Sequence, residues 1–452
     1  MSNGHDRKHD DPTASHDRAK LRRARRRDEV YKGDAGNETE QAGRGSELKD
    51  AHAISRSSKG KPDMSDPAPA TPKKRLALYL DGTWNQVSDN TNVWRFRALF
   101  SPVSADGCEQ RSYYSTGLGT KFGERISGGM FGAGIDTAIT SAYEWLMENY
   151  APGDDIFIFG FSRGAYTARS LSGFVSKCGL LQSGAPLGVN QLFVRYRHPK
   201  QRTIRELIDA QQQGQTDFSH EEDWMLKFAQ AVPIKFIGVF DTVGALGVPL
   251  PWLHRSAYPF LNTGLRQNNE YAFHAIAIDE HRKAFAPTLW SNQGATAAKP
   301  RPIERTEQRW FVGAHANVGG GCFDDALAQL PFRWLARKAE GLGLSFRDGF
   351  AVDAGAATAK ISDSYGEFMW GLYRLATFNR PYYRPIGVPP RDEGDGVVNI
   401  NETIDASVFD RWRADKTYRP PELQSWASAK RVDPANITGP VRTENPSVLV
   451  AD

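Results

Sequence analysis

The sequence predicts an α/β protein built on a doubly wound, mostly parallel sheet, and two observations lead to that fold class. Five short runs are almost continuously apolar, as strands are when helices cover both faces of a parallel sheet. Segments with helical spacing of apolar residues alternate with these runs, which is typical of strands joined by crossover helices. The five runs are 76–80, 156–160, 234–240, 273–278 and 309–314, and the clearest helical segments are 135–147 and 171–178.

The first 75 residues differ from the rest in composition. They contain 18 Lys or Arg, 13 Asp or Glu and a single aromatic residue, Tyr31. Such a segment cannot bury enough apolar surface to offset the entropy lost on ordering, so we expect residues 1–75 to form a disordered charged tail. The basic run at 21–27, LRRARRR, could attract anionic lipid or nucleic acid. A solvated tail without a partner is the alternative, and no specific nucleic-acid binding is expected.

Membrane spans, disulfides and metal ligands leave no clear signal in the sequence. No apolar run approaches the roughly 18 residues that span a bilayer, and the charged N-terminus lacks the apolar core of a secretory signal. The three cysteines, Cys108, Cys178 and Cys322, form neither a disulfide framework nor a zinc pattern and are expected to be packing residues. We therefore expect synthesis in the cytoplasm and no metal or cofactor.

Two further segments define the predicted domain organisation. Residues 117–134 hold seven glycines without a phosphate-binding pattern, and this composition predicts a flexible loop at the active site. Beyond about residue 345 the apolar periodicity weakens into aromatic, Pro-rich and acidic stretches. We therefore expect a catalytic domain over 76–344 and a smaller accessory or cap region over 345–452.

Ser162 is the strongest candidate for a catalytic nucleophile. It is the central residue of the segment GFSRG at 160–164, which lies between an apolar strand and a predicted helix. A serine in such a GxSxG turn is held in a strained backbone conformation at the helix N-terminus, and the two glycines leave room for the adjacent strand and helix. The motif also occurs by chance in glycine-rich chains, but its place between strand and helix favours the nucleophile of an α/β-hydrolase.

A serine hydroxyl needs a base within hydrogen-bond reach and an acid that orients the base. His315 is the preferred base because it directly follows a predicted strand and precedes a glycine-rich segment that is free to bend over the serine. The acid is open between Asp241 and Asp279, which both end apolar strands ahead of the base. Strand counting slightly favours Asp279, and either residue could instead cap a loop or helix. The competing histidines are His254, His274 and His281.

The turn after the first predicted strand supplies a candidate for oxyanion binding. The sequence DGT at 81–83 also occurs in phosphatases with an aspartyl nucleophile two residues earlier, but that position is Tyr79 here, so the phosphatase interpretation largely fails. In a hydrolase, the backbone N–H of Gly82 or Thr83 would instead hold the oxyanion together with the N–H of Arg163. An ordinary Asp-Gly turn is the alternative.

Six motifs follow one another along the predicted catalytic domain. They are LYLDGTWN, the glycine-rich GLGT segment, GFSRGAYTAR, FIGVFDTVGALG, AIDEHRKAFAP and WFVGAHANVGGG. Over residues 76–340 the chain thereby resembles the α/β-hydrolase domain shared by the first group of type VI secretion lipase effectors. The resemblance implies an α/β-hydrolase fold, a Ser-Asp-His triad and, for the studied effectors, hydrolysis of phospholipid acyl esters. Residue by residue it assigns the triad to Ser162, Asp241 and His315, and so favours Asp241 over Asp279.

The chain departs from this family pattern at two places. The family commonly reads HSDVGGG where this chain has HANVGGG, so Ala316 and Asn317 replace Ser and Asp. The polarity of the loop changes while the base is kept. Near the C-terminus the family often has a histidine before SV, whereas this chain reads IDASVFDRW. Any role of that histidine is therefore absent or altered, which bears on whether the substrates are equivalent.

With the motifs, the resemblance predicts a phospholipase A-like serine hydrolase that works through an acyl-enzyme, with the N–H groups of Arg163 and Gly82 holding the oxyanion. A general carboxylesterase or thioesterase and a non-catalytic binding module are the alternatives. A stretch of aromatic residues and arginines suits peripheral contact with a lipid surface, or packing with a basic rim. It comprises Trp370, Tyr373, Arg374, Phe378, Arg380, Tyr382, Tyr383 and Arg384. The resemblance also implies a secretion-system or immunity partner and export without a signal peptide.

Overall fold

An eight-stranded sheet lies at the centre of the part of the chain that the structure describes. In this computed structural model, that part comprises residues 73–82, 87–116, 128–244, 264–292, 301–322, 324–347, 350–367, 374, 377–388 and 397–451. The predicted tail therefore lies outside the described residues except for its last three positions, and the DGT turn is described only as far as Gly82.

Strands and helices alternate along the chain, as the sequence predicts. The strands are β1 (Lys74–Leu80), β2 (Glu109–Ser115), β3 (Asp155–Phe161), β4 (Leu180–Leu181), β5 (Ala229–Gln230), β6 (Ile234–Phe240), β7 (Asn269–Ala277), β8 (Thr306–Phe311), β9 (Glu402–Ile404) and β10 (Val441–Arg442). The α-helices are α1 (Asn92–Leu99), α2 (Gly128–Asn149), α3 (Arg163–Cys178), α4 (Val189–Arg197), α5 (Ile204–Gln212), α6 (His220–Phe228), α7 (His315–Gly319), α8 (Gln329–Glu340), α9 (Ser364–Glu367), α10 (Ala406–Ala414) and α11 (Pro421–Lys430), with short 3-10 helices at Val87–Asp89, Lys283–Phe285, Ala356–Thr358 and Pro434–Asn436. Within the described ranges, no helix has both the length and the apolar character needed to cross a bilayer.

The order of the strands in the main sheet is β10-β9-β8-β7-β6-β3-β1-β2, and each neighbouring pair is parallel except β9 and β10. β4 and β5 form a separate antiparallel pair. The chain passes from β1 outward to β2 and then crosses back to β3, so the direction of winding reverses between β1 and β3. Such a reversal opens a crevice at the carboxyl ends of these strands. The predicted doubly wound, mostly parallel α/β fold is confirmed.

Side chains of the central strands are buried on both faces of the sheet, which explains their continuous apolar runs. Leu76, Leu78 and Leu80 of β1 pack on one face with residues of α2, α3 and α4. Ala77 and Tyr79 pack on the other face with residues of α1 and α8. Burial of one leucine side chain contributes about 1.5–3 kcal/mol. The two helical layers therefore hold the strands, and the residues at their carboxyl ends, in fixed register.

The C-terminal region extends the central sheet and does not only cover it. β9 pairs in parallel with β8, and β10 pairs with β9 in the antiparallel sense. A third apolar cluster joins the C-terminal region to the central strands, because Ile276 of β7 and Trp310 of β8 pack with Ile404 of β9 and with residues of α10 and α11. β9 has three residues and β10 has two, so neither forms an apolar run long enough to be predicted as a strand. The boundary after residue 344 stays a prediction.

The second half of the glycine-rich segment is helical. α2 begins at Gly128, so GGMFGAG at 128–134 forms the first turns of a helix, and the predicted loop is wrong over these residues. Glycine is a weak helix former, but the apolar repeat from Ile135 onward supports the helix. Each residue added to an existing helix gains a hydrogen bond without a new nucleation cost. Residues 117–127 lie outside the described part of the chain.

Candidate active site

The site lies where three strands end at the same edge of the sheet. Ser162 directly follows β3 and Asp241 directly follows β6. Because Phe161 pairs with Phe240 in the sheet, these two polar residues leave it side by side. His315 is the first residue of α7, four residues beyond the end of β8. Parallel strands bring their carboxyl ends to one edge, so residues far apart in sequence meet here.

The backbone around Ser162 has the strained geometry expected of a strand-to-helix turn. Ser162 has a φ of 57° and a ψ of −119°, a conformation that costs about 1–3 kcal/mol. A Cβ atom on Gly160 would lie 2.6 Å from Cα of Ala165 in α3. One on Gly164 would lie 2.1 Å from the carbonyl oxygen of Leu80 in β1. The two glycines of the motif therefore allow α3 to pack against the sheet immediately after the serine.

Ser162, His315 and Asp241 form a continuous hydrogen-bonded row. The Oγ atom of Ser162 lies 2.8 Å from Nε2 of His315, and Nδ1 of the same ring lies 2.5 Å from Oδ2 of Asp241. An ionised carboxylate can only accept, so Nδ1 carries the proton and Nε2 accepts the serine O–H. All three side chains are buried, and Asp241 is completely so. The row has the connectivity that activates a serine for nucleophilic attack.

Burial and charge keep the imidazole in the form that accepts a proton. Burial lowers the pKa of His315 below its usual value, although the hydrogen bond to Asp241 and its charge act in the opposite direction. Burial alone would raise the pKa of Asp241, but the guanidinium of Arg384 and the hydrogen bond from His315 hold that pKa below its usual range. At neutral pH the pair is therefore a neutral imidazole beside an ionised carboxylate.

The alternative acid, Asp279, has other partners. Its Oδ2 atom accepts the N–H of Gly313 at 2.7 Å and the hydroxyl of Tyr418 at 3.2 Å. Burial raises the pKa of Asp279 to about 6. Asp279 therefore fastens the turn that leads to His315, and the structure brings Asp241 to the imidazole in its place.

The alternative bases lie elsewhere. His274 is buried in the sheet, where Nε2 accepts the N–H of Thr242 at 3.0 Å, and burial lowers its pKa to about 3. His281 donates from Nδ1 to the carbonyl of Tyr382 at 3.3 Å. His254 lies outside the described residues. No group of three His, Cys, Asp or Glu side chains in the described ranges is arranged to hold a metal ion.

A surrounding layer of side chains orients the ring of His315. The backbone N–H of His315 donates to Oε2 of Glu280 at 3.3 Å, and Arg282 binds both carboxylate oxygens of Glu280 at 2.7 and 2.8 Å. The rings of Phe161 and Phe285 pack against the imidazole with centroids 4.8 and 5.0 Å from its own. The position of the imidazole is thus set through the backbone of His315 and by two aromatic contacts of its ring.

The two N–H groups predicted to bind the oxyanion differ in their surroundings. Arg163 is the first residue of α3, and the first N–H groups of a helix carry partial positive charge that favours an anion. The N–H of Gly82 donates to Oδ1 of Asp81 at 2.7 Å. The other oxygen of that carboxylate accepts from Thr91 at 2.6 Å and from Tyr114 at 3.0 Å. The turn therefore uses the Gly82 N–H internally, and its role as an oxyanion donor stays a prediction.

Arg384 is a site residue that the sequence does not reveal. The predicted lipid interface ends at this residue, yet Arg384 has an exposed fraction of 0% and donates to both carboxylate oxygens of Asp241, at 2.7 and 3.0 Å. This part of the predicted interface is wrong, because the guanidinium is buried as the counter-ion of Asp241. No motif marks the pair, since 143 positions separate the two residues. Two aromatic residues of the stretch, Trp370 and Tyr373, lie outside the described residues.

Comparison with known protein families gives a match over the residues that build this site. The model of the type VI secretion system (T6SS) phospholipase effector Tle1-like catalytic domain matches residues 74–338. An uncharacterized protein of Saccharomyces cerevisiae, YEL023C, is 28% identical over 234 residues, which is 47% of this chain and 32% of the yeast protein. The chain thus matches only a minor part of that relative.

Solved structures of other proteins are also similar to the chain. An uncharacterized protein from Pseudomonas aeruginosa is 16% identical, with a TM-score of 0.36 over 64% of this chain and 51% of its own. The Tle1 effector bound to the VgrG spike from the type 6 secretion system is 18% identical, with a TM-score of 0.32 over 59% of this chain and 56% of its own. Esterase 2 of Thermogutta terrifontis, phosphoramylated by tabun, is 14% identical, with a TM-score of 0.31 over 62% of this chain and 88% of its own.

The family assignment rests on the match to the family model. The matched residues, 74–338, make up more than half of the 452 residues and include Ser162, Asp241 and His315. The resemblance predicted from the six motifs is confirmed. The chain belongs to the Tle1-like family of T6SS phospholipase effectors and carries the catalytic domain of that family, a hydrolase domain.

Proposed function

We propose that the protein is a serine hydrolase that cleaves acyl esters through an acyl-enzyme, with Ser162 as the nucleophile. The observation that carries this proposal is the hydrogen-bonded row of Ser162, His315 and Asp241 at a strained strand-to-helix turn. Membership in a family of phospholipase effectors supports the same class of reaction. A strained, buried serine whose hydroxyl faces a neutral imidazole is the arrangement that nucleophilic catalysis requires.

In the first half of the proposed reaction, Nε2 of His315 accepts the proton of the Ser162 hydroxyl as Oγ bonds to the acyl carbonyl carbon. The carbonyl oxygen becomes an oxyanion, and Asp241 stabilises the imidazolium through the 2.5 Å contact to Nδ1. His315 then gives the proton to the leaving oxygen, the ester C–O bond breaks, and the acyl group stays on Ser162. In the second half, water replaces the alcohol and the same proton transfers release the carboxylic acid.

The oxyanion would form beside the N-terminus of α3. The N–H of Arg163 and the dipole of the helix favour negative charge at this end. Gly82 can supply a second N–H only if Asp81 releases it, so substrate binding would exchange their 2.7 Å hydrogen bond for one to the oxyanion. Loss of one such donor slows a serine hydrolase by roughly 10²–10³-fold.

Phospholipid is the proposed substrate, and the family assignment is its main support. Two exposed aromatic residues of the C-terminal stretch add to it, since Phe378 has an exposed fraction of 85% and Tyr383 of 44%. Arg374 and Arg380 beside them are also exposed. Aromatic rings among arginines suit the headgroup region of an anionic membrane. We include delivery by a type VI secretion system and an immunity partner in this proposal.

Fatty-acid release from phospholipid vesicles by the wild type and by Ser162→Ala tests the proposal. We expect release by the wild type and a rate lower by several orders of magnitude in the variant, with equal thermal stability of the two proteins. Mass spectrometry of the lysolipid product would identify the acyl position. An unchanged rate in Ser162→Ala would contradict the proposed nucleophile.

A parallel panel of soluble esters and thioesters defines the substrate class. Hydrolysis of the soluble compounds without release from vesicles would indicate a general esterase or thioesterase. Covalent labelling of Ser162 by a fluorophosphonate would exclude a purely binding module. Phe378→Ser should slow the reaction on anionic vesicles and leave the rate on a soluble ester unchanged, and equal rates on vesicles would contradict the membrane contact.

A further inference from the structure

Arg384 places a buried guanidinium on the carboxylate of Asp241 from outside the matched domain, which ends at residue 338. Nη1 donates to Oδ1 of Asp241 at 2.7 Å and to the carbonyl oxygen of Ala277 at 2.6 Å. Nη2 donates to Oδ2 of Asp241 at 3.0 Å and to the carbonyl oxygen of Phe285 at 2.6 Å. These four bonds use all four Nη hydrogens. The contact is therefore a two-point recognition of the carboxylate as well as an ion pair.

The carboxylate of Asp241 accepts four hydrogen bonds. Oδ1 accepts from the N–H of Ala277 at 3.0 Å and from Arg384. Oδ2 accepts from His315 at 2.5 Å and from Arg384. A carboxylate offers about four acceptor positions, so these bonds occupy all of them. Without Arg384, the oxygen that faces His315 would have no second donor to fix its direction.

The segment that carries Arg384 is fastened on both sides of it. The N–H of Tyr382 donates to the carbonyl oxygen of His281 at 2.8 Å. The N–H of Gly387 donates to Oε1 of Glu402 in β9 at 2.6 Å. These two backbone hydrogen bonds therefore fix the segment on both sides of Arg384. One of them also links the segment to β9, the strand that extends the sheet.

We propose that Arg384 is a positioning residue for hydrolysis: it aims the carboxylate of Asp241 at His315 and limits the negative charge that the imidazole experiences. This inference rests on the proposed function, because Arg384 touches none of the reacting atoms. A carboxylate without its counter-ion would stabilise the imidazolium more strongly, so His315 would hold its proton to a higher pH. The region beyond residue 338 thereby completes the catalytic site.

Other charged groups face the triad and enter any pH effect. Glu280, which accepts the backbone N–H of the triad histidine, is paired with Arg282, so these two charges largely offset each other. His274 on β7 is neutral because burial lowers its pKa to about 3. Burial raises the pKa of Tyr382, which keeps that phenol neutral as well. Arg384 is therefore the charge whose removal changes the field at the triad acid most directly.

Two buried acids titrate in the range of the experiment and need a control. Burial raises the pKa of Asp279 to about 6 and that of Glu422 in α11 to about 7. Both residues are present in every variant compared. The charge of Arg384 lowers the pKa of Glu422, however, so a change at residue 384 also affects the titration of Glu422. Each pH profile is therefore measured a second time with Glu422→Gln added, so that a shift caused by Glu422 disappears and one caused by the triad remains.

The test compares Arg384→Lys and Arg384→Met with the matched control Arg411→Met in the full chain. Arg411 is also a buried arginine. Its guanidinium donates to the carbonyl oxygens of Ala357 and Ala359, which are not residues of the triad. On a soluble ester, Arg384→Lys should lower kcat roughly 10–100-fold with KM almost unchanged, because the charge is kept and the two-point contact is lost. Arg384→Met should also move the acid limb of kcat/KM up by about one pH unit. Arg411→Met should do neither.

A second readout keeps the inference falsifiable if Arg384→Met does not fold. The rate at which a fluorophosphonate labels Ser162 is measured against pH for the wild type and Arg384→Lys, and we expect roughly tenfold slower labelling of the variant. A folded Arg384→Lys protein with wild-type kcat and labelling rate would overturn this inference and leave the proposed function intact. A wild type that is not labelled and cleaves no ester would overturn both.

Discussion

The turns after β6 and β7 each place a buried aspartate at the carboxyl edge of the sheet, and they differ in what surrounds the carboxylate. Asp241 is bound at both oxygens by the guanidinium of Arg384 and faces the imidazole of His315. Asp279 accepts hydrogen bonds from two neutral donors, a backbone N–H and a tyrosine hydroxyl. The two residues therefore have similar positions in the fold and different electrostatic environments.

The pKa values of the two carboxyl groups reflect that difference. Burial favours the protonated form of both, but in Asp241 the charge of Arg384 prevails and the pKa lies below its usual range. In Asp279 burial prevails and raises the pKa to about 6. Only the first group therefore stays ionised well below neutral pH and can stabilise an imidazolium there. Position at the end of a strand is therefore common to both residues, whereas the counter-ion and the facing imidazole that the proposed triad acid requires are found at Asp241.

The largest expected effect that tests this contrast is on catalysis. Asp241→Asn should lower kcat/KM by about 10⁴-fold, because an amide can hold the imidazole in the wrong tautomer and cannot stabilise its charge. Asp279→Asn keeps an acceptor for the N–H of Gly313 and should lower kcat/KM less than about tenfold. The measurement is the rate on a soluble ester at pH 8. Similar losses in both variants would remove the distinction between the two turns.

A second effect is expected on stability. Asp241→Asn leaves Arg384 buried without its carboxylate and should lower the free energy of unfolding by about 3–5 kcal/mol. Asp279→Asn replaces an unfavourably buried charge by a neutral amide of the same shape, so its effect at pH 7 should stay below about 1 kcal/mol. Urea unfolding of both variants checks this, provided that the slope with denaturant is unchanged. A greater loss of stability in Asp279→Asn would contradict the assignment of the ion pair.

The pH dependence of stability should have opposite signs for the two groups. The pKa of Asp279 in the folded state, about 6, is above the unfolded value, so its contribution is complete below about pH 4 and is lost as the pH rises through 6. The pKa of Asp241 is lowered, so its contribution is present above about pH 4 and is lost only as the pH falls below that value. Between pH 5 and pH 8 the wild type should therefore lose about 1–2 kcal/mol that Asp279→Asn does not lose. The measurement is urea unfolding of both proteins at the two pH values. An equal loss of unfolding free energy in the wild type and in Asp279→Asn would show that Asp279 is not the titrating group.

The smallest effect concerns the hydroxyl that binds Asp279. Tyr418→Phe removes one donor to a buried carboxylate and should lower the free energy of unfolding by about 1 kcal/mol. The pKa of Asp279 should rise further, because this hydrogen bond favours the ionised form. kcat should not change, since this hydroxyl binds Asp279 and not a residue of the proposed triad. A catalytic loss comparable to that of Asp241→Asn would mean that Asp279 belongs to the catalytic machinery after all.

Residues whose position depends on their own segment could be predicted from the sequence. Ser162 lies in a strand-turn-helix pattern that spans few residues, and His315 follows an apolar strand and precedes a glycine run. The choice of Asp241 as the proposed acid required more, because the turns that contain Asp241 and Asp279 look alike to any local rule. Only the resemblance to a family favoured Asp241 over Asp279. The physical difference between them is the cation Arg384 beside Asp241, which comes from a remote segment and leaves no signal in the sequence around either aspartate.

Features that depend on distant contacts could not be predicted. Arg384 lies in a stretch whose composition resembles a surface, and its burial follows from a carboxylate 143 positions earlier. The N–H of Gly82 looks available in the sequence, but Asp81 binds it within the turn. β9 and β10 gain their order from pairing with the edge of a sheet that is already formed, since neither has an apolar run of its own.

The pairing of β9 with β8 has a practical consequence for protein production. The matched family domain ends between these two strands, so a fragment that stops at residue 338 would uncover the hydrogen-bonding edge of β8 and the indole of Trp310. Unpaired strand edges and exposed apolar side chains promote self-association. The segment that matches the family model is thus shorter than the segment that forms the complete sheet. An expressed fragment should therefore extend at least through β10.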